Sequence, residues 1–284
     1  MITHPAFPVE PWRLRATSLD FEVLAQAESL FTVSNGHLGW RGNLDEGDPH
    51  GLPGSYLSGV YEVRPMPYAE PGYGYPNFGE TIINITDGKI VRLLIDDEPF
   101  DVRRGHLLKH EQELDLQAGV LRRTVEWCSP AGRTVRVRTT RIVSFTQRAI
   151  GAVDYRVESL DGPARVVLQS ELVANEPMPE PEADPRAAAV LGEPLVGEEN
   201  FDHDALVQPS TRPARAVCAW PSGWTTRCSV RTSTSASEVI PTRGGSRSLR
   251  SWRPVSTCGW SSTWPTDGLP AGRHRRCATR SPVS

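Results

Sequence analysis

The chain has 284 residues and a formal net charge of −3, enough for one large domain or two modest ones. No run approaches the roughly 18 apolar residues that cross a bilayer, and residues 1–15 hold prolines, a Glu and no apolar run, unlike a secretory leader. A soluble chain of the reducing cytoplasm, with no membrane partner, is therefore expected; before Gln208 its only cysteine is Cys128.

The first distinctive stretch is Glu28-Ser29-Leu30-Phe31-Thr32-Val33-Ser34-Asn35-Gly36-His37-Leu38-Gly39-Trp40-Arg41-Gly42-Asn43. Its glycines lack the dinucleotide spacing and the βαβ surroundings that would make them a nucleotide loop. Repeated Gly permits positive φ and close packing around Trp40 and Arg41, so the residues alone read as a tight structural turn. Further on, residues 54–62 (GSYLSGVYE) lead to a Pro/Gly-rich loop holding Tyr73, Tyr75, Pro76, Asn77 and Phe78. Aromatic faces of this kind suit a pyranose ring. They equally suit a loop pinned to its own domain, and without other evidence the structural reading prevails.

From Thr81 the pattern is β. Residues 81–85 and 89–95 read as strands of a hairpin turning at Asp87-Gly88, and Asp96-Asp97-Glu98-Pro99 turns the chain again. Residues 119–127 form the next predicted strand and 129–132 its turn. Residues 133–139 alternate with period two, giving one wet and one buried face. Residues 149–158 and 164–173 continue the pattern. Strands separated by short turns, with little helical periodicity, predict an all-β fold: a large antiparallel β-sandwich. The stretch 175–197, with five prolines and many acids, predicts a solvated loop. Asp96-Asp97 reads as turn chemistry, and Asp202-His203-Asp204 lacks metal-site spacing. No metal is expected.

Taken in order, residues 28–43, 54–62, 75–78 (YPNF), 140–145 (TRIVSF) and 170–175 (SELVAN) resemble the N-terminal domain of glycoside hydrolase family 65, the maltose, trehalose and kojibiose phosphorylases. The resemblance implies an inverting enzyme. Inorganic phosphate (water in the hydrolases) attacks the anomeric carbon of an α-linked glucose disaccharide, and a Glu general acid protonates the leaving oxygen. It implies phosphate as co-substrate, no other cofactor, and a homodimeric intact enzyme. The acid and phosphate cradle of the family lie in a later α/α barrel, so no residue here is assigned a catalytic role. Gly36, Trp40, Arg41, Asn43, Tyr75, Asn77 and Phe78 become candidates for substrate binding or contact with that barrel.

The vocabulary changes after Val207. Beyond Gln208 there are twelve Arg, no Lys and only Glu238 and Asp267 as acids, so +10 here offsets −13 in the rest of the chain. Cys218, Cys228, Cys258 and Cys277 have 9, 29 and 18 residues between them and no CxxC pair, which argues against zinc. A GC-rich gene read out of frame gives this vocabulary. Across Ala216 to Thr226, the shifted frame permits Gly-Leu-Arg-Val-Ala-Val-Gly-Met-Asp-His, which resembles the family's next strand. The expectation is a family 65 sandwich over 1–207, incomplete and truncated before its barrel. An out-of-frame, irregular or disordered tail then fills 208–284. Two rival functions remain: a stand-alone carbohydrate-binding or assembly module, and a nucleic-acid binder using the arginines. No nucleic-acid-binding fold surrounds those arginines.

Overall fold

The computed structural model describes residues 7–66, 68, 70, 72–176, 194–203, 206–213, 225–241 and 247–263. In chain order the first elements are β1 (Val9–Glu10), β2 (Arg13–Ala16), helix α1 (Leu24–Leu30), β3 (Val33–Ser34), β4 (Leu38–Trp40), β5 (Ser55–Leu57), β6 (Tyr61–Pro65) and β7 (Phe78–Ile82). Then come β8 (Asp87–Ile95), β9 (Glu98–Pro99), β10 (His106–Asp115), β11 (Val120–Cys128), β12 (Thr134–Val143), β13 (Ile150–Ser159) and β14 (Val166–Val173). The last are β15 (Leu195–His203), β16 (Leu206–Pro213), β17 (Thr225–Pro241) and β18 (Arg247–Thr263).

One large antiparallel sheet has the order β1-β2-β10-β11-β12-β13-β18-β17-β16-β15. Two smaller sheets, β3-β4-β5 and β14-β8-β9, cover its inner face, and β6–β7 forms a separate two-stranded ribbon. Period-two alternation explains the layering. In β12, Val135, Val137 and Val143 turn inward with Thr139 and Arg141, while Arg136, Arg138 and Ile142 turn outward. The outward charges pair across strands, as Arg136 does with Glu126 and Glu158 at 2.9 Å each. The inward apolar residues form two cores. One joins Phe31, Leu38, Trp40 and Leu57 to Leu121, Val143 and Val153; the other joins Val91, Leu93 and Ile95 to Val125, Trp127, Val137 and Val157.

The strands expected over 119–127, 133–139, 149–158 and 164–173 are present as β11 to β14. Asp96-Asp97 forms the β8–β9 turn with both residues at positive φ, 48° and 74°. The hairpin expected at Asp87-Gly88 is absent. Both residues are buried within β8, whose partners are β14 and β9, whereas β7 pairs with β6. Asp-Gly satisfies a strand here because Asp87 is held by buried Lys89. Of the loop expected over 175–197, residues 177–193 lie outside the described residues and 195–197 begin β15.

The expected boundary after Val207 falls inside β16, and the stretch predicted to be irregular contains β17 and β18, which extend the large sheet beyond β13. Their Thr, Val and Trp residues suit extended backbone. Pro254, which offers no donor, sits where the β18 ladder to β13 is interrupted between Val255 and Trp252. Residues 214–224, 242–246 and 264–284 of that stretch lie outside the described residues.

Candidate functional site

A belt of polar residues crosses the inner face between the two apolar cores. Gln112, Arg123, Thr139 and Tyr155 are successive cross-strand partners on β10 to β13, and Arg141 lies one pleat away beside Leu121 and Val153. The segment after β4 lowers Asp45 and Glu46 onto this belt. Asp45 accepts from Arg141 Nε at 2.8 Å, Thr139 Oγ1 at 2.8 Å and Arg123 Nη1 at 3.2 Å. Glu46 takes the same Arg123 in a two-point clasp, with Oε1 accepting from Nη2 at 2.9 Å and Oε2 from Nη1 at 2.5 Å. Two carboxylates thus meet two guanidinium groups, all four buried.

Burial alone would raise the Asp45 pKa, but Arg141, Arg123 and the Thr139 hydroxyl hold its carboxyl below the ordinary range. Arg123 Nε donates to His110 Nε2 at 3.2 Å, which requires a neutral imidazole with its lone pair on Nε2. Burial, with Arg123 adding to it, pushes that His110 down to about 3. Burial likewise raises the Tyr155 hydroxyl well above its ordinary value. Such a network is charge-balanced and buried, although Arg141 Nη1 and the Tyr155 hydroxyl have no hydrogen-bond partner in it. It fixes the 43–54 segment in register and, being buried, presents no acid, base or nucleophile to a substrate.

The Glu28-to-Asn43 stretch is knotted beside it. Buried Glu28 accepts from the Gly51 and Leu52 amides at 2.9 and 3.1 Å and faces Arg41 Nη2 at 3.6 Å, while that nitrogen donates to the Ala25 carbonyl at 2.9 Å. A Cβ on Gly54 would lie 2.1 Å from Arg41 Cδ, so only glycine lets Arg41 cross there. Asn43 Nδ2 donates to the Leu52 carbonyl at 2.8 Å. Trp40 is 0% exposed against β13, leaving no ring face for sugar or a partner surface. Gly36, at φ 82°, occupies the β3–β4 turn, which Asn35 ties to β12–β13 through the Ser144 and Arg148 carbonyls.

The other candidates lie in a different environment. Phe78 is 66% exposed and Tyr75 54% exposed, and Asn77 is exposed beside them. In the ribbon, Tyr61 faces Ile82 and Pro65 faces Phe78, so alternate positions put Tyr61, Pro65, Phe78 and Ile82 on one outward side. Tyr75 packs on Tyr68 with ring centroids 4.9 Å apart. Trp40, Arg41 and Asn43 are therefore inside the sandwich, whereas Tyr75, Asn77 and Phe78 are on its surface.

Asp45, Glu46, Arg123 and Arg141 escaped the residue-level reading. The available signal was an Arg at an inward position of an alternating strand, which demands a buried carboxylate somewhere.

Comparison with known proteins follows the same outline. The glycosyl hydrolase family 65 N-terminal domain matches residues 14–248, running into the stretch set apart by its vocabulary. An uncharacterized glycosyl hydrolase of Mycobacterium tuberculosis is 55% identical over 221 residues, which are 77% of this chain and 28% of that protein. The alpha,alpha-trehalose phosphorylase of Thermoanaerobacter brockii is 33% identical over 60% of this chain and 23% of its own length. The maltose phosphorylase of Bacillus subtilis is 31% identical over 62% and 24%. The solved structure of a putative kojibiose phosphorylase from human microbiome superposes with a TM-score of 0.70 at 16% identity, covering 91% of this chain and 33% of that one; it shares the fold. The chain spans about a quarter of the length of the curated relatives it matches.

Proposed function

The chain belongs to glycosyl hydrolase family 65, as its N-terminal domain, and on that premise we propose that it is the non-catalytic part of an inverting α-glucoside phosphorylase of the trehalose, maltose or kojibiose type. The observation that carries this reading is coverage: the phosphorylases align with this chain over a quarter or less of their own length. The site chemistry supports it. Phosphorolysis needs an accessible acid for the leaving oxygen, and the buried carboxylates of Asp45 and Glu46 are neutralised by arginines. On this reading, disaccharide and inorganic phosphate meet on residues outside this chain. The outward side of the β6–β7 ribbon, apolar apart from Glu80, is then where the remainder of such a protein docks, with Tyr75 and Phe78 in the contact.

The test is direct. Purified chain incubated with phosphate and trehalose, maltose or kojibiose is expected to release no glucose 1-phosphate. Turnover of any of the three would place an active site within these residues and end the proposal.

A further inference from the structure

Beyond this function, the carboxylates around Glu176 outnumber their cations. Glu176 lies just beyond the end of β14, next to Asn175, which stands at positive φ (54°). Asn175 clamps the start of β15: Nδ2 donates to the Leu195 carbonyl at 2.8 Å, and Oδ1 accepts from the Leu195 amide at 2.9 Å. Around Glu176, β8 supplies Asp87 and Lys89, and the segment before β5 supplies Asp48 and His50; Arg92 of β8 ties that Asp48 to Glu171 of β14. Each permanent cation is already engaged. Lys89 is fully buried, paired with Asp87 and donating to Ser55 Oγ at 3.2 Å. Arg92 donates to Asp48 at 3.1 Å and to Glu171 at 3.2 Å. His50 Nδ1 contacts the Gly47 carbonyl at 3.0 Å.

Glu176 is thus a third carboxylate, beside Asp87 and Asp48, facing a Lys89 that is already paired, and its Oε2 is buried without a hydrogen-bond partner. An ionised oxygen in that position is costly, whereas a neutral acid is tolerated. We propose that Glu176 is a proton-operated latch: it takes up a proton when the turn at Asn175 seats against β8, and releases it when that turn lifts.

Burial first, then the charge of Asp87, raises the Glu176 carboxyl to about 7; Lys89 and His50 act in the opposite direction and Asp48 in the same one. The sign follows from linkage. The seated form holds a proton that the lifted form sheds near pH 4.5, so seating is favoured below that value. It weakens as pH rises toward 7, and above 7 the loss is complete. Each pH unit inside that window changes the lifted-to-seated ratio by up to about tenfold. The latch therefore operates between about pH 4.5 and 7 and acts on the joint between β14 and β15.

The Leu195 amide reports the latch because its proton is donated to Asn175. Hydrogen exchange of that amide in the full chain, corrected for the intrinsic pH dependence, is expected to lose at least about tenfold protection between pH 5 and pH 8. Glu176→Gln should abolish that loss, because Gln keeps the shape and never ionises. A carbon-13 titration of the Glu176 carboxyl in the unmodified chain supplies a reading independent of any variant. A midpoint near 7, with pH-dependent Leu195 protection only in the unmodified chain, supports the latch. An ordinary carboxylate midpoint, a parallel slope in the variant, or a raised midpoint with flat Leu195 protection overturns it.

Discussion

Asp45→Asn tests the buried belt most sharply. Asn preserves shape and one acceptor but removes the charge that answers Arg141, which approaches Asp45 through Nε at 2.8 Å with both side chains 2% exposed. Glu46 is committed to Arg123, so the substitution leaves one uncompensated guanidinium in the interior. Breaking a buried pair by removing one partner costs about 3–5 kcal/mol. Against a total stability of about 5–15 kcal/mol, that is a large share of the margin. For a chain of this size it corresponds to a thermal midpoint lower by about 6–20 °C. Adding Arg141→Met removes the stranded cation and leaves Arg123 with Glu46 as a neutral pair. The double variant should therefore be more stable than the sum of the two single losses predicts, by roughly 0.5–3 kcal/mol. Urea unfolding of the four proteins at pH 7, with constant m-values, measures the coupling. Additive losses, or a cost below about 1 kcal/mol for Asp45→Asn, would refute the claim that charge balance holds this belt together.

His110 supplies a second expectation. Its imidazole is kept neutral down to about 3, so an unfolded chain binds a proton below about 6.5 that the folded one refuses, and stability falls as pH drops from 6.5 toward 3. His110→Gln should flatten that acid slope in urea midpoints. The comparison belongs in a Glu176→Gln background, since Glu176 acts with the opposite sign between pH 4.5 and 6.5, and equal slopes would show that His110 is not the group refusing the proton. For the ribbon, Phe78→Ser should shift unfolding by no more than about 0.5 kcal/mol, because the side chain is 66% exposed. The same change should weaken binding to the separately produced remainder of the 55% identical relative, measured by calorimetric titration. Unchanged affinity would move the contact elsewhere.

The sandwich itself was legible because its cause is local. Residues 119–173 alternate with the period of a strand, and their turns carry Gly, Pro and Asp where the backbone reverses. Local signals failed where the partner decided the outcome. Asp87-Gly88 has the composition of a hairpin turn, yet Lys89 and the pairing of β8 with β14 hold it extended. The absence of periodicity after Val207 likewise did not foresee β17 and β18, whose place is set by cross-strand pairing with β13 and β16.

The candidate residues divide along the same line. Sequence alone identified the Glu28–Asn43 and Tyr75–Phe78 stretches as constrained, since glycines and aromatics at that density restrict what the backbone does. Only the tertiary structure determined that Trp40, Arg41 and Asn43 are enclosed while Tyr75, Asn77 and Phe78 face outward. The charged belt was invisible beforehand because Asp45 and Arg141 are 96 residues apart in the chain. Alternation dictates which side of a strand a residue faces, but what waits on that side is a long-range contact, and a carboxylate against a guanidinium leaves no periodic trace.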